Sequence, residues 1–149
     1  MFGFFRSAAF DDPVLGRLQH ARGQWRGTLA LGEAAPTPLA LFGSRTAPDD
    51  AALAAARLIA PSFAAWRPAI EQALFDHHAP YAEAGMGPAL HSPDQVWAKV
   101  SLQSVAVLRL GGAVTTELVY AAGWDDDHLL GVRFQSGRFS ELCGSVLPA

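Results

Sequence analysis

At 149 residues, half of them apolar and 17% charged, the chain is long enough to bury one core and too hydrophobic to stay disordered. A net charge of −3 with no basic run argues against duplex nucleic acid as a partner. The lone cysteine, Cys143, excludes an internal disulfide and a multi-thiolate zinc site, which fits a reducing cytoplasm.

The apolar opening Met1, Phe2, Gly3, Phe4, Phe5 is interrupted by Arg6, Asp11 and Asp12, so neither an export signal nor a membrane span is expected. Lys99 is the one lysine among eleven Lys and Arg residues, and Ala is abundant, a bias associated with GC-rich bacterial genomes.

Asp12 and Pro13 read as a turn into a short strand around Val14, Gly16 and Leu18. Gly23 separates this from a second strand bearing Trp25, Gly27, Leu29 and Leu31. After Pro36 and Pro38, residues 39–42 suggest a third strand. The run 51–60 is rich in helix formers, with Thr46 or Asp49 as cap. Pro61 is expected to end or kink this helix. Phe63, Trp66, Ile70, Leu74 and Phe75 recur at helical spacing, so a second helix with Pro68 in its first turn should finish near His77 and His78.

Residues 79–90 contain Pro80, Gly85, Gly87 and Pro88 and read as a loop with at most one helical turn around 81–84. Ser92, Pro93 and Gln95 open a short helix that should carry Val96 and Trp97 inward. Four strands follow at 100–110, 114–122, 129–135 and 138–142, joined in part by hairpin turns at Gly111 and Gly112 and at Ser136 and Gly137. The expected fold is one α+β domain over 1–149: a mainly antiparallel sheet with helices on one face. Its other face carries Thr115, Glu117, Arg133, Gln135 and Glu141 and is a candidate surface for a partner.

The richest motif is Trp124, Asp125, Asp126, Asp127 and His128, running on to Arg133 and Phe134. Three carboxylates and an imidazole between two strands mark a polar turn. They admit a metal or general-base reading through Asp125, Asp127 and His128, with Glu117 or Glu141 completing a ligand set. No specific metal pattern occurs, so no metal ligand, catalytic residue or cofactor is assigned. The plainer expectation has Asp125 or Asp127 bonding backbone N–H groups in an Asx-type turn while His128 ties down the loop and Trp124 packs at the core edge. His77 and His78 suit a helix C-terminus, and their proximity to Asp76 imitates a metal pair only in composition. Cys143 reads as a small buried residue, and the four Trp residues as core anchors.

The chain resembles a family of small uncharacterised bacterial proteins. The likeness rests on the opening Met1 to Phe5, on Asp12 to Gly16, Trp25 to Gly27, Val96 and Trp97, Glu117 to Tyr120, Trp124 to Phe134, and Gly144 to Val146. Its Trp-Asp-x-acid-His-x-x-Gly-x-x-Phe signature is also similar to one in domains of unknown function, some of them regarded as immunity proteins against bacterial toxins. The resemblance implies a class and no site. The leading expectation is a cytoplasmic, non-enzymatic protein-interaction module of immunity type, with Trp124, Asp125, Asp126, Asp127, His128 and Arg133 as binding residues and a toxin or effector as partner. The alternatives are a metal-assisted hydrolase built on Asp125, Asp127 and His128, and a structural subunit of a homo-oligomer such as a dimer.

Overall fold

A computed structural model describes residues 8–32, 35–87 and 89–144. The apolar opening 1–6, Pro88, Ser145 and Val146 lie outside the described residues. Among the described residues, eight strands form one sheet in chain order. They are β1 (Ala9–Asp12), β2 (Gly16–Ala21), β3 (Gln24–Leu29), β4 (Thr37–Leu41), β5 (Val100–Leu110), β6 (Ala113–Ala122), β7 (Asp125–Gln135) and β8 (Arg138–Cys143). Every neighbouring pair is antiparallel except β4 and β5, which run parallel. A parallel pair needs a long crossover, supplied here by helix α1 (Asp50–Glu83) and the 3-10 helix Pro93–Ala98.

The α+β architecture is the expected one, with four N-terminal strands where the sequence suggested two or three. Strand β1 went unread because it is four residues long and ends in two aspartates, a composition poor in β-formers. The β5 to β8 meander agrees closely with expectation. Its β5–β6 turn needs two consecutive residues at positive φ, which Gly111 (56°) and Gly112 (81°) adopt without steric cost.

The larger departure is in the helices. Instead of breaking at Pro61 and stopping near His77, α1 runs for 34 residues through Pro61, Pro68 and Pro80. All three prolines sit on its exposed side, where the carbonyl each one releases can turn to water. Its inward stripe continues past the prolines: Ala52, Leu53, Ala56, Ile59, Trp66, Ile70, Leu74 and His78 are buried on one helical face, with Ser62 and Phe63 half-buried between Ile59 and Trp66. Packing of that stripe outweighs the lost helical hydrogen bonds. At the start, the Asp49 carboxylate accepts the N–H groups of Ala51 and Ala52. At the 3-10 helix, Ser92 makes no capping bond to the helix backbone, and Gln95 instead reaches back to the His91 N–H.

The core lies between α1 and one face of the sheet, where Leu18, Trp25, Leu39, Leu41, Leu118, Leu130 and Val132 are all but inaccessible. Trp66 stacks on Phe134 with ring centroids 4.1 Å apart. Each of the four indole N–H groups finds an acceptor: Trp25 the Ser44 carbonyl, Trp66 the Gly137 carbonyl, Trp97 the Glu71 carboxylate and Trp124 the His77 ring. These rings are core anchors with satisfied polar ends. Among the described residues, no helix is long and apolar enough to cross a membrane.

Candidate functional site

The acidic run begins β7 and does not precede it. Gly123 and Trp124 make the turn, Ala122 faces Asp125, and the next pair is Ala121 with Leu129. Asp126, Asp127 and His128 are therefore extra residues on one strand, thrown out of the ladder as a three-residue special bulge. All three are exposed, while Asp125 is buried.

Asp125 holds the bulge in shape. One carboxylate oxygen accepts the backbone N–H groups of Asp127 and His128, each at 3.2 Å. The His128 ring lies against the same carboxylate, with Nδ1 at 3.1 and 3.3 Å from its two oxygens. The Tyr81 hydroxyl donates to the other oxygen at 3.0 Å. Burial pushes the Asp125 pKa up, but hydrogen bonds from His128, Tyr81 and the Asp127 N–H outweigh it, so the pKa is lowered. The bond to Asp125, followed by burial and the nearby negative charges, raises that of Tyr81.

The last turns of α1 supply the other wall. His77 and Tyr81, four residues apart, share a helix face and stack with centroids 5.3 Å apart. Trp124 donates its indole N–H to His77 Nδ1 at 3.0 Å and meets His78 edge-on at 5.6 Å. His78 is buried, with Nδ1 at the Phe75 carbonyl and Nε2 accepting the Leu90 N–H. Gly87 approaches the base of the Trp124 side chain: a Cβ there would lie 2.9 Å from Trp124 Cβ. Burial lowers the His77 pKa, with His128 adding to the effect and Asp125 opposing it.

The structure thus brings Trp124, Asp125 and His128 together in the Asx-type arrangement and leaves Asp126 and Asp127 outside, facing solvent. Arg133 stands apart. It donates Nε to Glu117 at 2.7 Å and places Nη1 3.6 Å from Glu141, in register with Glu117 on β6 and Glu141 on β8. Gln135 donates to Thr115 beside it. The expected open polar face is consequently a closed cross-strand ladder at its centre, with the Glu117 side chain 1% and that of Arg133 15% exposed. His77 and Tyr81 were missed because the helix was expected to end at 77–78, which left their i, i+4 relation unread.

Among the described residues, no group of three or more His, Cys, Asp or Glu is arranged to hold a metal ion. Asp76 accepts Gln72 rather than meeting a histidine. Cys143 is partly exposed, and its thiol donates to Glu141 at 3.4 Å. Burial and that carboxylate push its pKa up, against thiolate chemistry. A separate groove of about 570 Å³ lies between the first half of α1 and the strand ends, lined in part by Leu58, Ser62, Trp66, Val114, Phe134 and Ser136.

No protein-family model, curated protein or solved structure matches the chain.

Proposed function

We propose that the protein is a non-enzymatic interaction module whose epitope is the β7 bulge, with Asp126, Asp127 and the outer edge of His128 meeting a basic protein surface. The observation that carries this reading is the division of labour within the bulge. Asp125 is spent on internal hydrogen bonds that fix the backbone, and the two following carboxylates are exposed on that fixed frame. A preorganised backbone loses little freedom on binding, and exposed carboxylates steer a cationic partner. The immunity-type role is the sharpest form of this proposal, with a toxin or effector as partner and the cytoplasm as the place of action. Trp124 and Arg133, expected among the binding residues, have framework roles in it, because both are occupied by internal partners.

The test is affinity purification from the native cell with wild-type protein and with the Asp126→Asn/Asp127→Asn variant side by side. A basic partner retained by the first and lost by the second supports the proposal, and equal recovery from both counts against it.

A homo-oligomer is the second reading, favoured by the apolar groove and by Leu58 and Phe139, 60% and 41% exposed. Light scattering tests it: a dimer that Leu58→Glu makes monomeric supports it, and a monomeric wild type sinks it. The metal-assisted alternative draws no support from the geometry around Asp125, whose carboxylate is already engaged by four donors.

A further inference from the structure

Trp124 is 3% exposed, and its indole nitrogen is a donor only, so the bond to His77 Nδ1 exists only while that nitrogen carries no proton. His77 is partly buried on α1, and the contact joins the C-terminal turns of the helix to the β6–β7 hairpin. We propose that the His77–Trp124 contact is an acid-released latch: neutral His77 holds the hairpin against the helix end, and protonated His77 lets go of the indole. The inference does not depend on what the bulge binds.

The surroundings give the charged ring somewhere to go. From β7, Asp125 attracts an imidazolium at this position and His128 opposes it. From α1 itself, Tyr81 stacks on the ring, and His78, next in sequence, meets the edge of Trp124. Residues 84–87, described just beyond the helix, are Ala, Gly, Met and Gly and carry no titratable side chain. On protonation the acceptor disappears and the attraction of Asp125 remains, so the ring gains a competing partner at the moment it loses the indole. Trp124 is then held by core packing, including its edge contact with His78, without its hydrogen bond.

The sign follows from burial. Because the folded pKa of His77 is lowered, the latch contributes stability above the ordinary imidazole value of 6.5 and loses it as pH falls below that value toward the folded pKa. The bulge, tied to the same ring system through Tyr81 and Asp125, would loosen with it.

The experiment is a titration of the full chain followed by two-dimensional NMR of the four indole N–H groups and the His77 ring, from pH 8 to pH 5. The expected result is one transition below pH 6.5 shared by His77 and the Trp124 indole, with the Trp25, Trp66 and Trp97 indoles unmoved. In His77→Gln, which keeps an acceptor but cannot titrate, that transition should vanish, and in His128→Gln it should persist. A Trp124 indole that stays fixed while His77 titrates overturns the proposal. So does a transition in which all four indoles move together, or one that survives in His77→Gln. The wild-type measurement is residue-resolved and decides the matter even if a variant fails to fold.

Discussion

Tyr81 on helix α1 donates its hydroxyl to Asp125 on strand β7 at 3.0 Å, across 44 residues of sequence. This bond couples the long helix to the bulge and adds to the internal hydrogen bonds that engage the Asp125 carboxylate. Asp125→Ala strands three kinds of donor at once: a hydroxyl, an imidazole and two backbone N–H groups. A loss of about 1–3 kcal/mol is expected in denaturant unfolding. Asp126→Asn/Asp127→Asn should stay within about 0.5 kcal/mol of wild type, separating what builds the bulge from what it displays.

Arg57 on α1 bonds the Asp12 carboxylate at the β1–β2 turn, which also accepts the N–H groups of Val14 and Leu15. Chiefly through Arg57, these donors overcome burial and hold the Asp12 pKa at about 2 against an ordinary 3.8. Because the folded value is depressed, the stabilisation is present above 3.8 and is lost as pH falls through about 2. Arg57→Met should therefore lower stability at pH 7. Its difference from wild type should shrink steadily between pH 4 and pH 2, read as denaturation midpoints at each pH.

Tyr120 contributes the opposite kind of evidence. Its ring fills the core, but its hydroxyl is buried without a hydrogen-bond partner among the described residues, and burial drives its pKa far above the ordinary phenol value. An unsatisfied buried hydroxyl costs about 1–3 kcal/mol. Tyr120→Phe should raise the unfolding free energy, measurably and without change in the far-ultraviolet circular dichroism.

The Glu117 and Arg133 pair is buried between β6 and β7. Removing one member leaves the other charged and unpaired, so Arg133→Met should cost about 3 kcal/mol or more. Replacing both with apolar residues, Glu117→Leu/Arg133→Met, should recover most of that loss. A double-mutant cycle by chemical denaturation reads the coupling directly.

The strands β5 to β8 were legible because their β-branched and aromatic residues are punctuated by Gly111–Gly112 and Ser136–Gly137, local chemistry that works without tertiary help. The helix was not legible at full length. Pro61 and Pro80 are strong local stop signals, and they are overridden by a buried stripe from Ala52 to His78 whose value comes from the sheet beneath it. The same mistake hid half of the candidate site. Asp125 advertises an Asx-type turn through the residues beside it, whereas Tyr81, and with it the pairing with His77, arrives from an extension of α1 beyond residue 78 and through Pro80. Arg133 was grouped with the acidic run by proximity in sequence, but strand register hands it to Glu117 and Glu141.

The most direct measurement of the proposed function is quantitative mass spectrometry of proteins co-purified with the wild type and with Asp126→Asn/Asp127→Asn from the native cell, after showing that the variant and the wild type unfold at the same denaturant concentration. The account predicts one basic protein at near-stoichiometric yield with wild type and at least about tenfold depleted with the variant, a difference of about 1.4 kcal/mol in binding. Equal recovery of every protein by the two, or no enriched protein with either, would contradict it.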